Sequence, residues 1–290
     1  MDYLLHLIVI SCVYVTLAVS LDMLAGHTGI LSVCHAAFFA LGAYTSTLLA
    51  VRLGFAFPLA LLAGMLSAAM FSVAVSLPSV RLRDDFFVIA TFAFQLIFSS
   101  LLNNWTVLTR GPLGIPGIPT PRILGWTVAS RGDWVFLAAL MATVAFTAAR
   151  LLTGGPFGRV LRAIREDESF ARALGKETNR FKATVFAVSG AIAAAAGSLY
   201  GHYVGYIDPT SFSLGESILI VSMVIIGGAG SLWGPALGAV GLVALPELLR
   251  LIGFPAVLAA NLRQVLYGLL LVIAMVLRPQ GLFGKYGFER

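Results

Sequence analysis

The sequence predicts an all-α, polytopic transmembrane helical bundle, and two observations carry that expectation. Apolar side chains make up 59% of the 290 residues and charged ones only 11%, against about 25% charged in an ordinary soluble domain. A water-exposed surface on a chain of this size needs far more charge, and the mean hydropathy of +0.94 agrees, so lipid is the solvent for much of it. The apolar residues also gather in runs of the length a helix needs to cross hydrocarbon, about 20 residues. Short alternating strands with polar turns, the pattern of a membrane barrel, are absent.

The runs fall at residues 3–22, 30–51, 55–77, 86–102, 133–152, 183–203, 216–232, 235–252 and 257–277. Gly and Pro interrupt several, so about nine crossings are expected, between eight and ten. No Lys or Arg precedes the first run, whereas a cleaved leader opens on positive charge and closes on a small-residue cleavage site. The first segment is therefore expected to stay as a permanent helix. Cys12 and Cys34 lie inside the first two runs and read as small buried apolar side chains rather than a disulfide or zinc site.

Orientation follows from charge, because Lys and Arg are retained on the cytoplasmic side. The segment from Arg150 to Lys182 holds Arg150, Arg159, Arg162, Arg165, Arg172, Lys176, Arg180 and Lys182, while the connection 204–215 has Asp208 and no basic residue. Placing the first inside and the second outside fixes the other loops by alternation. Arg81, Arg83, Arg278, Lys285 and Arg290 then fall inside with the first eight. Arg52, Arg110, Arg122, Arg131, Arg250 and Arg263 fall outside with the N-terminus. The same bias accounts for the net charge of +6 without nucleic acid.

Two loops are long. Residues 103–132 alternate Pro112, Pro116, Pro119 and Pro121 with Gly111, Gly114 and Gly117, which cannot continue a helix; an ordered external loop or re-entrant segment is expected. The cytoplasmic loop 153–182 places Leu161, Ile164, Phe170, Ala171 and Leu174 among charges, with Gly175 as a C-cap. That pattern predicts one short amphipathic helix, Leu161 to Leu174, outside the membrane. Together these regions read as a single transmembrane domain over 1–290.

Small residues recur every fourth position at Gly197, Gly201 and Gly205, and again at Gly230, Gly234 and Gly238. In lipid this spacing lets helix backbones approach closely, as static packing or as part of gating. Gly26–Ser32 and Gly228–Leu232 look faintly alike, and both lead into helices running from inside to outside.

Energy-coupling and catalytic signatures are missing from the sequence. There is no G-x-x-x-x-G-K-[ST] phosphate loop, no H-E-x-x-H, no G-x-S-x-G, and His6, His27, His35 and His202 are scattered. Polar residues within or near the runs are His35, Thr91, Gln95, Asn103, Asn104, Asp208, Glu216 and Glu247. Such side chains face the protein interior or a water-filled cavity, where they line a solute path or bond a neighbouring helix. Few runs carry a charge near the centre, whereas ion-coupled carriers commonly use an intramembrane carboxylate or a broken-helix ion site. Energy delivered from another chain is the expectation, with a self-sufficient carrier or channel and a membrane-embedded enzyme as the alternatives.

Four blocks resemble the permeases of branched-chain amino acid ABC importers. The first is Gly26-His-Thr-Gly-Ile-Leu-Ser32 with His35-Ala-Ala-Phe-Phe39 and Gly42-Ala-Tyr44. The second runs from Arg81-Leu-Arg83 through Ala90-Thr91-Phe92 to Asn103-Asn-Trp105 and Thr109-Arg-Gly-Pro112. The third is Gly158-Arg159, Ala163-Ile-Arg-Glu-Asp167 and Ala171-Arg-Ala-Leu-Gly175. The fourth is Asp208-Pro209, Ser217-Ile218, Met223 to Ser231, Gly234-Pro235 and Gly238-Ala239, closed by Arg278-Pro-Gln-Gly-Leu282.

The resemblance implies a division of labour. A solute-binding protein delivers the amino acid, two permease subunits (usually unlike) form the path, and two ABC ATPase subunits carry ATP and Mg. This chain itself then needs no cofactor, metal or catalytic residue. It implies a bacterial inner-membrane protein whose Arg165, Glu166, Asp167, Ala171 and Gly175 form the ATPase-coupling contact. His35, Thr91, Gln95, Asn103 and Asn104 are then candidates for the translocation path. Asp84 after Arg83, Val33-Cys34 and Leu113 depart from the family pattern, which leaves the solute open, since related permeases carry urea, short-chain amides or other amino acids.

Overall fold

A computed structural model describes residues 2–80, 82, 84–123, 125–251, 256–278 and 280–284. Arg81, Arg83, Pro279, Lys285 and Arg290 of the charge and motif readings lie outside the described residues. Within them the chain forms α1 (Asp2–Thr28), α2 (His35–Leu53), α3 (Phe57–Ser76), α4 (Asp84–Asn104), α5 (Thr106–Thr109), α6 (Arg131–Gly154), α7 (Pro156–Glu166), α8 (Glu168–Ala173), α9 (Thr178–Val204), α10 (Leu214–Gly227), α11 (Trp233–Leu251) and α12 (Ala256–Leu277). Four two-residue strands, β1 (Ile115–Pro116), β2 (Arg122–Ile123), β3 (Trp126–Thr127) and β4 (Tyr206–Ile207), complete it. Among the described residues seven stretches are long and apolar enough to cross a membrane: α1, α2, α3, Phe86–Asn104 of α4, α6, α9, and Pro209–Gly227, which includes α10. The predicted runs 235–252 and 257–277 coincide with α11 and α12.

The core forms where backbones can approach. α9 carries Ala193 to Ala196 followed by Gly197, and both α2 and α3 lie along it. A Cβ at Gly197 would overlap the Phe39 carbonyl oxygen, and one at Gly42 would overlap the Ala194 backbone; this contact exists because neither residue has a side chain. Ser198 Oγ donates to the Gly42 carbonyl at 3.1 Å across the same seam. α1 is the second axis, packed against α6, α9, α10 and α11 and fully buried from Leu17 to Ala25.

Of the glycine files, Gly197, Gly201, Gly234 and Gly238 sit at helix contacts. Gly205 corrects the expectation, while Gly230 meets α1 closely but from a turn rather than from within a helix. Gly205 (φ 74°) ends α9 with open space around it, and Gly230 (φ 82°) lies in the turn before α11. Both occupy left-handed conformations, which a residue without Cβ adopts cheaply.

Two helix junctions differ from the plain runs. α1 continues to Thr28, and α2 begins at His35 rather than near residue 30, because Gly29 turns the chain at φ 74°. His35 Nε2 lies 2.7 Å from Ser20 Oγ, and Ser20 precedes the end of α1 by eight residues, about 12 Å at 1.5 Å per residue. The chain therefore folds back alongside α1 before α2 starts. Non-helical backbone at this depth is tolerated when buried in protein, and Ser32, Cys34 and His35 are all buried. The run 216–232 likewise stops being helical at Gly227, since Gly228 has φ 104°.

The cytoplasmic pattern is corrected in detail. The expected single helix Leu161–Leu174 is two helices, α7 starting earlier at Pro156 and α8 starting at Glu168. Between them Asp167 is extended (φ −154°, ψ 105°) and its carboxylate caps the Phe170 amide at 3.0 Å. An Asp that satisfies an N-terminal amide initiates a new helix rather than continuing the old one. Gly175 (φ 76°) follows α8 in the left-handed turn expected of it.

Contacts between loops fall into the two sets that alternation requires. Asp2 pairs with Arg131 at 3.1 Å, Arg52 Nη2 donates to the Val107 carbonyl at 2.8 Å, and β1 pairs antiparallel with β4; all are on the predicted outer side. On the predicted inner side the Leu282 and Phe283 amides donate to Ile226 and Gly227 carbonyls at 3.0 and 2.9 Å, and Arg165 donates to the Gly26 carbonyl. The loop predicted to be external is thus ordered, with a short helix, the β2–β3 hairpin and a strand paired with β4 just after α9.

Candidate functional site

Three of the five proposed path residues converge. His35, Thr91 and Gln95 come from α2 and α4, each with 0% exposure. They lie among hydrogen bonds that join α1, α2, α4 and α10. Thr91 Oγ1 accepts from the Val33 amide at 3.1 Å, and Ser217 Oγ accepts from the Ala36 amide at 3.0 Å, so two other helices satisfy amides at the start of α2. Ser217 Oγ donates to Gln95 Oε1 at 3.3 Å, while Gln95 Nε2 donates to the Phe212 carbonyl at 3.0 Å. Ser189 Oγ of α9 donates to the Ser20 carbonyl at 2.6 Å beside His35. His35 Nδ1 is buried without a partner among the described residues. A polar seam with these donors and acceptors gives a polar solute replacement hydrogen bonds if the helices part.

Asn103 and Asn104 do not join this seam. They lie in the last turn of α4, where they donate to the Ser99 and Ser100 carbonyls at 3.0 and 2.8 Å, and Asn104 is exposed. Glu216 is held by the Tyr14 hydroxyl, which donates to it. Asp208 caps the 3-10 turn that follows it, accepting from the Ser211 amide and the Thr210 hydroxyl. Partial burial pushes the Asp208 carboxyl up, but the Ser211 and Thr210 bonds outweigh it and hold it below the usual carboxylate range.

A second cluster lies on the inner side. Asp22 is fully buried on α1; its Oδ1 accepts from the Gly230 amide at 2.8 Å and its Oδ2 lies 3.7 Å from His27 Nδ1. A Cβ at Gly26 would overlap both the Asp22 carboxylate and the Gly230 nitrogen. The stretches 26–32 and 228–232 are therefore seated against one another. Arg165 of α7 donates to the Gly26 carbonyl, which ties the surface helix to this junction. Sequence reasoning passed over Asp22, Ser20 and Ser189. The signal was a lone acid inside the first apolar run, with hydroxyls at membrane depth.

The proposed coupling residues surround the α7–α8 break. Glu166 and Asp167 are exposed, Arg165 is half-buried, Ala171 is buried, and Gly175 has open space around it. Leu161, Ile164 and Ala171 face inward, but Phe170 and Leu174 are 62% and 63% exposed, so the apolar stripe serves two surfaces. Glu168 anchors α8 through Arg172 at 2.9 Å and Lys182 of α9 at 2.8 Å. Partial burial raises the Glu168 carboxyl, yet Lys182, Thr178 and Arg172 together hold it below the ordinary glutamate range.

Comparison with known proteins adds an independent finding. A family model described as branched-chain amino acid transport system / permease component matches residues 3–275. The high-affinity branched-chain amino acid transport system permease protein LivM of Escherichia coli K12 is 34% identical over 94% of this chain and 68% of its own length. LivH from the same strain is 25% identical over 98% of this chain and 95% of its own. The autoinducer 2 import system permease protein LsrC of Klebsiella pneumoniae is 29% identical over 58% of this chain and 49% of its own. No solved structure matches the chain.

Proposed function

The chain belongs to the branched-chain amino acid transport permease family, a multi-pass ABC transporter membrane subunit, and on that premise we propose that it forms half of a translocation path for branched-chain or related amino acids. Its other half is a second, unlike permease, in keeping with its resemblance to both LivM and LivH. A solute-binding protein delivers the amino acid outside a bacterial inner membrane, and two ABC ATPases carrying ATP and Mg work below it. The chain acts as one transmembrane domain of about nine crossings, with α11 and α12 as the last two.

The observation that carries the coupling reading is α8. Its Phe170 and Leu174 project from a short helix whose base is held to α9 through Glu168 and Lys182, and the adjoining Arg165 reaches the end of α1. An apolar pair on a braced stub suits a groove on an ATPase, and closure there biases inward- and outward-facing states differently. Arg165, Glu166, Asp167 and Gly175 frame this contact, with Ala171 packed beneath it. His35, Thr91 and Gln95 line the closed path, with Asn103 and Asn104, in the last turn of α4, as further candidates apart from that seam.

Reconstitution with ATPases, binding protein and partner permease tests this. Glu166→Arg and Gly175→Trp should each reduce ATP-dependent leucine uptake to background while membrane insertion is unchanged. Wild-type uptake by both variants would place docking elsewhere, and accumulation by the lone chain without nucleotide would favour the self-sufficient carrier. Uptake competition with urea, short-chain amides and other amino acids identifies the solute.

A further inference from the structure

On the predicted inner side, α6, α7 and the start of α11 enclose a cleft of about 570 Å³. Phe146 and Arg150 lie one turn apart on α6 and enter it together, Arg162 enters from α7, and Trp233 from α11, with His27 at its back. No Asp or Glu lines it. Arg162 Nη1 is fixed by donating to the Thr153 carbonyl at 2.9 Å, while Arg150 is exposed and has no hydrogen-bond or ion-pair partner among the described residues. Asp22, which lies 3.7 Å from His27, is fully buried and engaged by the Gly230 amide. With two arginines and no acid among its lining residues, the cleft is cationic.

Its upper wall is apolar. The Trp233 and Phe146 rings are 4.8 Å apart. Trp233 is 64% exposed, and the same face of α11 continues outward through exposed Leu237 and Val240; Val144 and Leu151 are exposed on α6. Trp at this level is the usual marker of the membrane–water boundary. Two guanidinium groups below an aromatic ledge and a lipid-facing groove match a phosphodiester with tails better than a free anion, because Arg offers paired donors to phosphate oxygens and basic pockets between spans hold lipid headgroups. We propose that this cleft binds the phosphate headgroup of an anionic phospholipid of the cytoplasmic leaflet, with its acyl chains along α6 and α11. The assignment rests on the orientation given above and not on the transported solute.

Native mass spectrometry of the full chain, released from detergent with added lipid, tests it. Phosphatidylglycerol should be retained over phosphatidylcholine of the same chains. Arg150→Gln should weaken retention about fivefold and Arg150→Gln with Arg162→Gln about 25-fold, from the contribution of each basic side chain near an anionic surface. Arg150 is exposed and unpaired, so its variant isolates headgroup binding from folding. Equal retention of the two lipids, or of wild type and Arg150→Gln, overturns the proposal. Equal competition by glycerol phosphate, which lacks tails, overturns it in favour of a free-anion site. A photoreactive group at position 151, activated in native membranes of the assembled transporter, should yield lipid adducts; a protein adduct would assign the cleft to a neighbouring chain instead.

Discussion

Asp22 is the residue whose environment says most. A carboxylate with 0% exposure accepts from a backbone amide on a segment more than 200 positions away. Removing one partner of a buried hydrogen bond leaves the other unsatisfied, at about 1–3 kcal/mol. Asp22→Ala should therefore lower the melting temperature of the purified chain, and Asp22→Asn, which keeps a carbonyl acceptor, should lower it less. Equal melting of Asp22→Ala and wild type would show that the Gly230 amide finds another partner at no cost. Gln95 makes the corresponding prediction for transport. Gln95→Leu leaves the Phe212 carbonyl and Ser217 hydroxyl without this partner, and leucine uptake should fall about tenfold with insertion unchanged; undiminished uptake would remove Gln95 from the path. Neither partnership was legible beforehand, because hydropathy reports depth in the membrane but not which distant amide a side chain meets.

At the scale of elements, most helices follow directly from the length of the apolar runs, and the departures have local causes. α2 starts at His35 rather than about residue 30 because Gly29 turns the chain, and the amides of Val33 before the helix and Ala36 in its first turn meet Thr91 and Ser217, 58 and 181 positions distant. The α7–α8 break was hidden because Leu161, Ile164 and Ala171 keep a helical period across it, while Asp167 reads as one more surface charge. Sequence alone did mark Gly175, since a glycine after an amphipathic segment is the common helix stop. The anchor of α8 is electrostatic and so depends on pH. A carboxyl held below its ordinary value stabilises the fold above that range, and the contribution is lost as pH falls through the lowered value. The protection of the α8 amides, as exchange rate relative to the unstructured amide at the same pH, should therefore be high near neutrality and fall as the medium is acidified below the ordinary glutamate range. Glu168→Gln should exchange faster at neutral pH and respond less to acid. A variant with the wild-type acid response would assign the anchor to another group.

For the whole molecule, basic residues sorted the loops into two sides, and inter-loop contacts group them in the same way. What charge counting missed is the pairing of β1 with β4, which joins segments 90 positions apart through backbone pairing and the Tyr206 hydroxyl donating to the Leu113 carbonyl, neither of which involves a charge. An enzymatic reporter inserted after Gly205, where α9 ends in an open turn, should be active only outside the cytoplasm. Activity inside would invert every loop and move the cationic cleft to the other leaflet.

Because the last turn of α1 and the turn after α10 meet backbone to backbone at Gly26 and Gly230, neither has slack of its own. A displacement applied at Gly26 through Arg165 reaches the foot of α11 without an intervening flexible side chain. The end of α1 and the turn before α11 therefore share one close backbone contact, and a bulky side chain at either glycine would push them apart together.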